Sequence, residues 1–224
     1  MSATPPALTS ARARVLIVDD HPLVREGLAA RISAQSDLEV CGQAADIDQA
    51  LSLVATMRPA IMIVDLALKH ENGLDLIKKV KAGAVGPRIL VVSAYEEAFF
   101  AERALRAGAH GYINKQELQG SVTDAIRTLL RGELYLSAEM TQRLAGRALS
   151  GKTASCGIEG LSDRELQIFQ LIGRGSSTRS IAEQLHLSIH TIESHRDNIR
   201  IKLKLHNGTE LLQQAVQWTL ENGR

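Results

Sequence analysis

The chain has 224 residues, of which 45% are hydrophobic and 23% charged, with a formal net charge of +1. That is enough chain to bury a sizeable core in one or two domains, and it excludes a wholly disordered, collagen-like or disulfide-stapled polypeptide. Residues 1–135 hold 15 Lys+Arg against 16 Asp+Glu and residues 136–224 hold 11 against 9, so bulk charge selects no partner and function must be read from local constellations.

Residues 1–12 carry no apolar segment of the kind a secretory signal needs and read as a disordered tail. No run approaches the 18 or so apolar residues of a membrane span, so no membrane association is expected. Cys41 and Cys156 have no C-x-x-C spacing, which excludes a zinc ribbon and fits a reduced, cytoplasmic chain. From residue 13 to 132, short apolar runs alternate with helical periodicities. The runs are Val15–Val18, Leu38–Cys41, Ala60–Val64, Arg88–Val92 and Gly111–Ile113, and their β-branched content suits buried parallel strands. Between them, Leu23, Leu28 and Ile32 space one helix face. Asp46 caps a second helix starting at Ile47. Leu74, Ile77 and Val80 space a third, Phe99 to Ala107 forms a fourth, and Val122, Ile126, Leu129 and Leu130 a fifth. Five strands alternating with five helices predict an α/β doubly wound, five-stranded parallel sheet.

Residues 133–159 read as a linker. Ser137 caps a short helix bearing Met140, Leu144 and Leu149, and small residues follow. Gly146–Thr153 fits G-x-x-x-x-G-K-[ST] by letter, but a phosphate-binding loop needs a strand before it and a helix after it, and the segment before it reads as helix. Residues 160–224 read as a small all-α, four-helix domain. Ser162 and Glu165 form a capping box ahead of Leu166, Phe169 and Ile172. Thr178–Leu185 is a short second helix. Ser188 caps a third over Ile189–Leu203, and Leu211, Leu212, Ala215 and Trp218 mark a fourth. Short helices joined by a turn describe a helix-turn-helix.

Ligands of doubly wound sheets sit at the carboxyl ends of the strands. The first run there ends in Asp19 and Asp20, the third in Asp65 and the fourth in Ser93, while the fifth leads into Lys115. Clustered carboxylates repel unless a cation joins them, and a hard oxygen site suits Mg²⁺. A carboxylate can also attack phosphorus to give an aspartyl phosphate. An aspartate-based phosphatase would want a second acid two residues after its nucleophile, where Ala67 stands.

These positions, in this order, resemble the CheY-like (flavodoxin-like) receiver domain of bacterial response regulators. The resemblance implies that Asp65 accepts a phosphoryl group from a sensor histidine kinase. Asp19, Asp20, Asp65 and the main-chain carbonyl of Ala67 would hold Mg²⁺. Ser93 would bind a phosphoryl oxygen, Lys115 would pair with the phosphoryl group, and Tyr112 would swing with Ser93 as a switch aromatic; plain core packing is the other reading of Tyr112. Lys69 and Gln116 stand where receivers commonly carry proline. No cofactor beyond Mg²⁺ is implied, and no enzymatic activity beyond self-phosphorylation from a phosphodonor and slow autodephosphorylation.

On charge alone, the third C-terminal helix fits a solvated face and a DNA-reading face equally well. The stretches LSDRELQIFQLIGRG and STRSIAEQLHLSIHTIESHRDNIRIKL resemble the LuxR-type helix-turn-helix, and a receiver followed by this domain is the arrangement of the NarL/FixJ regulators. The resemblance implies binding to double-stranded DNA for transcription control. Glu193, Ser194 and Asp197 would face the major groove, and Ser188, His190, Thr191, Arg196, Arg200 and Lys202 would contact the backbone. An intrahelical pair with Arg196 or with neighbours on the Asp197 side is the other reading of Glu193. Trp218 would serve monomer pairing on the last helix, or simple core packing. Phosphorylation would free the recognition helix and favour a homodimer. RNA polymerase is a further partner the resemblance allows.

Overall fold

The computed structural model describes residues 12–68, 71–83, 86–150 and 157–222. Strands β1 (Ala13–Val18), β2 (Leu38–Ala44) and β3 (Ile61–Val64) are followed by a two-residue pair, β4 (Ala67–Leu68) and β5 (Glu71–Asn72), and then by β6 (Arg88–Ser93) and β7 (Gly111–Asn114). The five long strands form one parallel sheet in the order β2-β1-β3-β6-β7. Helices α1 (Pro22–Ser33), α2 (Ile47–Met57), α3 (Gly73–Lys81), α4 (Glu97–Ala107) and α5 (Leu118–Leu130) cover its two faces.

Successive strand residues point to opposite faces, and this divides the core in two. Leu16, Val18, Met62, Val64, Ile89 and Val91 pack under α2, α3 and α4. Val15, Ile17, Ile61, Ile63, Leu90 and Val92 pack under α1 and α5. A strand buried on both sides must be apolar at every position, which is why these runs show no alternation.

Asp46 caps α2 as expected, accepting from the Gln49 amide. Leu28 and Ile32 of α1 and Val122, Ile126 and Leu129 of α5 are buried. Leu23 is not: it is 82% exposed in the first turn of α1, and Leu130 is 41% exposed at the end of α5. At these helix ends the apolar stripe has already left the sheet. The β4–β5 ribbon, antiparallel from Ala67 to Asn72, was not foreseen, since two residues per strand are too short to show periodicity. Lys69 lies outside the described residues, as do residues 1–11, Cys156 and the Lys152-Thr153 end of the phosphate-loop-like string. The Gly146 end of that string sits in helix α6 (Ala138–Ser150), not after a strand.

The segment after α5 does not leave the sheet at once. Tyr135 bridges to Gly111 in parallel, donating to the His110 carbonyl and accepting from the Tyr112 amide. Helix α6 then lies on α4, capped by Ser137, with Met140 buried and Arg143 donating to the Ala98 carbonyl at 3.1 Å. Among the described residues, no helix is long and apolar enough to cross a membrane.

The C-terminal helices are α7 (Asp163–Gly173), α8 (Thr178–Gln184), α9 (Ile189–Leu203) and α10 (Gly208–Asn222). The Ser162–Glu165 capping box is complete in both directions. Helix α7 ends at Gly173. A Cβ on Gly173 would strike the Ala215 carbonyl and the Thr219 hydroxyl, so glycine lets α7 and α10 close on one another. Helix α7 is buried almost all round, including Glu165, Gln167 and Gln170. The reason is that it packs on α9 and α10 on one side and meets the first domain on the other. Arg103 of α4 reaches Asp163 at 3.0 Å and the Leu161 carbonyl at 2.8 Å. Lys78 of α3 reaches Asp163 at 3.2 Å, and Arg174 reaches Glu96 at 3.1 Å. Phe99 lies 4.0 Å from Trp218, ring centre to ring centre, and Trp218 lies 5.5 Å from Phe169. Trp218 is therefore packed both within its own helices and across the domain junction.

Candidate functional site

Strand register builds the acidic rim. Val18 pairs with Val64, so Asp19 and Asp65 emerge one residue later on adjacent strands. Ser93 ends β6, paired with Asn114, and Lys115 follows β7 in a single 3-10 turn. All three carboxylates are buried, at 1%, 8% and 2% exposure for Asp19, Asp20 and Asp65. Lys115 Nζ stands 2.6 Å from Asp19 Oδ2 and 2.7 Å from Asp65 Oδ2. Burial works against the Lys115 charge, but Asp65 and Asp19 outweigh it and hold its pKa above the ordinary lysine value.

The structure thus brings Asp19, Asp20, Asp65 and Lys115 together, with Ser93 beside them. Ligand atoms of Asp19, Asp20, Asp65 and also His21 lie within 4.8 Å of one another. Two oxygens suit a cation: Asp19 Oδ2 and Asp20 Oδ1 are buried and lack a partner in hydrogen-bond geometry. Their close neighbours, Lys115 for the first and the His21 imidazole (2.8 Å) for the second, are charge contacts lacking hydrogen-bond geometry. Buried carboxylate oxygens with free lone pairs are suitable hard ligands for a divalent ion.

Three residues of the rim went unnoticed in the sequence. His21 directly follows Asp19-Asp20 and is largely exposed. Gly73 lies beneath the acceptor: its amide donates to the Leu66 carbonyl, and a Cβ there would strike the Asp65 carbonyl. The Asn72-Gly73 pair was the available signal. Tyr95 is the third. Its amide donates to Ser93 Oγ at 3.3 Å, its carbonyl accepts from the Tyr112 hydroxyl at 2.8 Å, and its ring stacks on Phe100. Burial raises the pKa of both phenols, so both stay neutral. Tyr112 is 2% exposed and points inward. The Ala67 amide donates to Asp65 Oδ1 at 3.2 Å. Gln116 follows Lys115 with its amide bonded to the Asn114 side chain, and the described residues contain no cis peptide.

In the helix-turn-helix, Ser188 caps α9, accepting from the Thr191 amide at 3.0 Å. Glu193, Ser194 and Asp197 are exposed, as are His190 and Lys202, while Thr191, Arg196 and Arg200 are half-buried. The groove-side residues Glu193, Ser194 and Asp197 thus face solvent in this structure. Glu193 makes no ion pair among the described residues. The intrahelical pair that forms instead is Asp197–Arg200, at 3.1 Å. Lys202 is already engaged, 2.6 Å from the capping-box carboxylate of Glu165.

This rim on a five-stranded parallel sheet, with a helix-turn-helix behind it, defines a phosphoreceiver coupled to a DNA-binding domain. Residues 15–127 match the response regulator receiver domain, and residues 159–215 match the bacterial regulatory proteins of the luxR family. The chain belongs to the LuxR-type response regulators, the DNA-binding transcription regulators of two-component systems. It is 33% identical over 210 residues to the oxygen regulatory protein NreC of Staphylococcus carnosus, covering 91% of this chain and 97% of NreC. It is 32% identical over 197 residues to the transcriptional regulatory protein LiaR of Bacillus subtilis, covering 88% and 93%. Among solved structures it is similar to RcsB of Salmonella enterica serovar Typhimurium bound to promoter P1flhDC in the presence of the phosphomimetic BeF3-. That likeness has 25% identity, coverage of 90% and 97%, and a TM-score of 0.56.

Proposed function

We propose that Asp65 takes a phosphoryl group from a sensor histidine kinase and that the modified receiver governs DNA binding by residues 160–224, with residues 13–132 as the receiver and 133–159 joining the two. The observation that carries this reading is the convergence of three buried carboxylates and Lys115 on the rim where Ser93 ends its strand. In the transfer, an Asp65 carboxylate oxygen forms a bond to phosphorus as the donor's phosphorus–nitrogen bond breaks, the donor imidazole keeping the electron pair and taking up a proton. Mg²⁺ held by Asp19, Asp20, Asp65 and the Ala67 carbonyl supplies neutralisation of phosphoryl charge when bound. Lys115 has three donors and can turn one to a phosphoryl oxygen.

Ser93 turns its hydroxyl to the new oxygens and releases the Tyr95 amide. The Tyr112 hydroxyl is bonded to the Tyr95 carbonyl, so the two rings respond together. Glu96, the residue after Tyr95, pairs with Arg174 just past α7 at 3.1 Å, so a shift of this segment reaches the C-terminal helices. The phosphoryl group biases a two-state packing of α7 on α4, by as much as it prefers one state. Since Glu193, Ser194 and Asp197 are already exposed, release acts on how the helices are oriented and paired, not by uncovering them. Two copies then read two half-sites. Glu193, Ser194 and Asp197 face base edges, and Ser188, His190, Thr191, Arg196, Arg200 and Lys202 serve the backbone. The protein works in the cytoplasm.

Labelling by a small-molecule phosphodonor with Mg²⁺ tests the acceptor: Asp65→Asn abolishes it, and undiminished labelling refutes the assignment. For the DNA face, Arg196→Ala weakens binding to all sequences alike and lowers the salt slope by about one. A loss confined to one base position overturns that role.

A further inference from the structure

A cavity of about 580 Å³ lies at the domain junction, away from the acidic rim. Its size is that of a small-molecule site. Phe99, Ile158, Leu166 and Trp218 give it an apolar wall drawn from both domains. Around that wall stand five cations, Lys78, Lys81, Arg103, Arg106 and Arg143, against two carboxylates among the described lining residues. Both carboxylates are already shared out: Asp163 serves Lys78 and Arg103, and Glu102 serves Arg106 at 2.6 Å. Arg143 donates to a neutral carbonyl, that of Ala98. Lys81 makes no ion pair or hydrogen bond among the described residues.

We propose that this cavity binds a small amphipathic anion, with a ring-sized apolar body against Phe99 and Trp218 and one acidic group facing Lys81 and Arg143. Asp75 also pairs with Lys78, at 3.5 Å, so Lys81 and Arg143 are the lining cations without a carboxylate among the described residues; a neutral apolar molecule would leave these two charges unanswered, and a purely ionic one would waste the aromatic wall. Low-dielectric walls around charges of one sign concentrate the field on such a ligand. Because the walls come from both domains, the occupant binds the docked arrangement and favours it, and by linkage any state that separates α7 from α4 binds it less well. None of this depends on phosphorylation of Asp65.

The probe is anilinonaphthalene sulfonate, titrated into the folded full-length protein. Trp218 is the single tryptophan and lines the cavity, so a bound probe quenches its emission and is sensitised by it. The expected result is saturable one-to-one binding, weakened about tenfold or more by Lys81→Glu, as reversal of one well-placed charge predicts. Phenylnaphthylamine, the same body without the sulfonate, binds the parent at least about tenfold less tightly and is indifferent to Lys81→Glu. Lys81 is exposed, so circular dichroism of that variant should match the parent, and the comparison of the two probes on the parent needs no variant. Asp65→Asn retains the site. The proposal is overturned by no saturable binding, by unsaturable multiple binding, by equal affinity for the neutral probe, or by indifference of the sulfonate to Lys81→Glu.

Discussion

Lys115→Met removes the single ammonium that stands between Asp19 and Asp65. In the parent its Nζ lies 2.6 and 2.7 Å from two carboxylates that are each 2% exposed at the side chain, and its own side chain is 16% exposed. Breaking a buried pair by deleting one partner costs about 3–5 kcal/mol, because the remaining charge is left uncompensated. The mouth of the site is open at His21, so the lower end, about 3 kcal/mol, is expected in Mg²⁺-free buffer at neutral pH. With urea slopes of about 1–3 kcal/mol per molar, the unfolding midpoint falls by about 1–3 M. Mg²⁺ then restores much of the loss, since a ligand at about 100 times its Kd contributes about 2.7 kcal/mol. The Lys115 pKa is raised in the folded protein, so its contribution is present below the ordinary lysine value of 10.5 and is lost only as pH rises through the higher folded value. The gap between parent and variant therefore persists across the neutral range. Urea unfolding followed by far-ultraviolet circular dichroism, with chelator and with Mg²⁺, measures both quantities. A variant as stable as the parent in chelator, or one that Mg²⁺ leaves unchanged, refutes the reasoning.

Gly73→Ala pushes a methyl group into the Asp65 carbonyl; overpacking of this kind costs about 1–3 kcal/mol. It should lower the melting temperature and slow phosphodonor labelling together; an unchanged melting temperature would show that the β4–β5 turn yields freely. Phe99→Ala removes the ring 4.0 Å from Trp218, with a loss of about 2 kcal/mol for a half-buried aromatic. The Trp218 emission should move to the red, and an unmoved spectrum would mean the rings do not hold the domains together. Glu165 is depressed below the ordinary carboxylate value of 4.5: burial opposes this, but Lys202 and the Ser162 amide prevail. Its stabilisation is therefore present above 4.5 and lost as pH falls through the lower folded value. Glu165→Gln should flatten that part of an acid titration of the C-terminal helices, and an unaltered titration would refute the linkage.

The strand runs, the Asp46 and Ser188 caps and the Ser162–Glu165 capping box were legible because each is a local rule, written within a few residues of chain. The order of Asp19, Asp20, Asp65, Ser93 and Lys115 was legible for a related reason: a parallel sheet brings the carboxyl ends of its strands to one rim, so position along the chain becomes position in space. Tyr95 and Gly73 were not legible. The first acts through a carbonyl and an amide shared with Ser93 and Tyr112, and the second through the close approach of another segment's backbone.

Helix α7, buried from Glu165 to Ile172, shows the same division. Its sequence reads as one apolar stripe with polar flanks, and Gln167 and Gln170 would be solvent-facing on periodicity alone. Packing on α8, α9 and α10 covers more of the helix than its stripe foretells, and Arg103 of α4 and Lys78 of α3 meet Asp163 at its start. Propensity, period and chain order were enough to place the five long strands and the helices and to bring Asp19, Asp20, Asp65, Ser93 and Lys115 to the rim. Tertiary structure alone decided that Lys202 is held by Glu165, that the groove-side residues of α9 face solvent, and that a basic, aromatic-walled cavity opens between the domains. Each of those depends on surfaces far apart in the chain meeting at a particular angle, which no local pattern encodes.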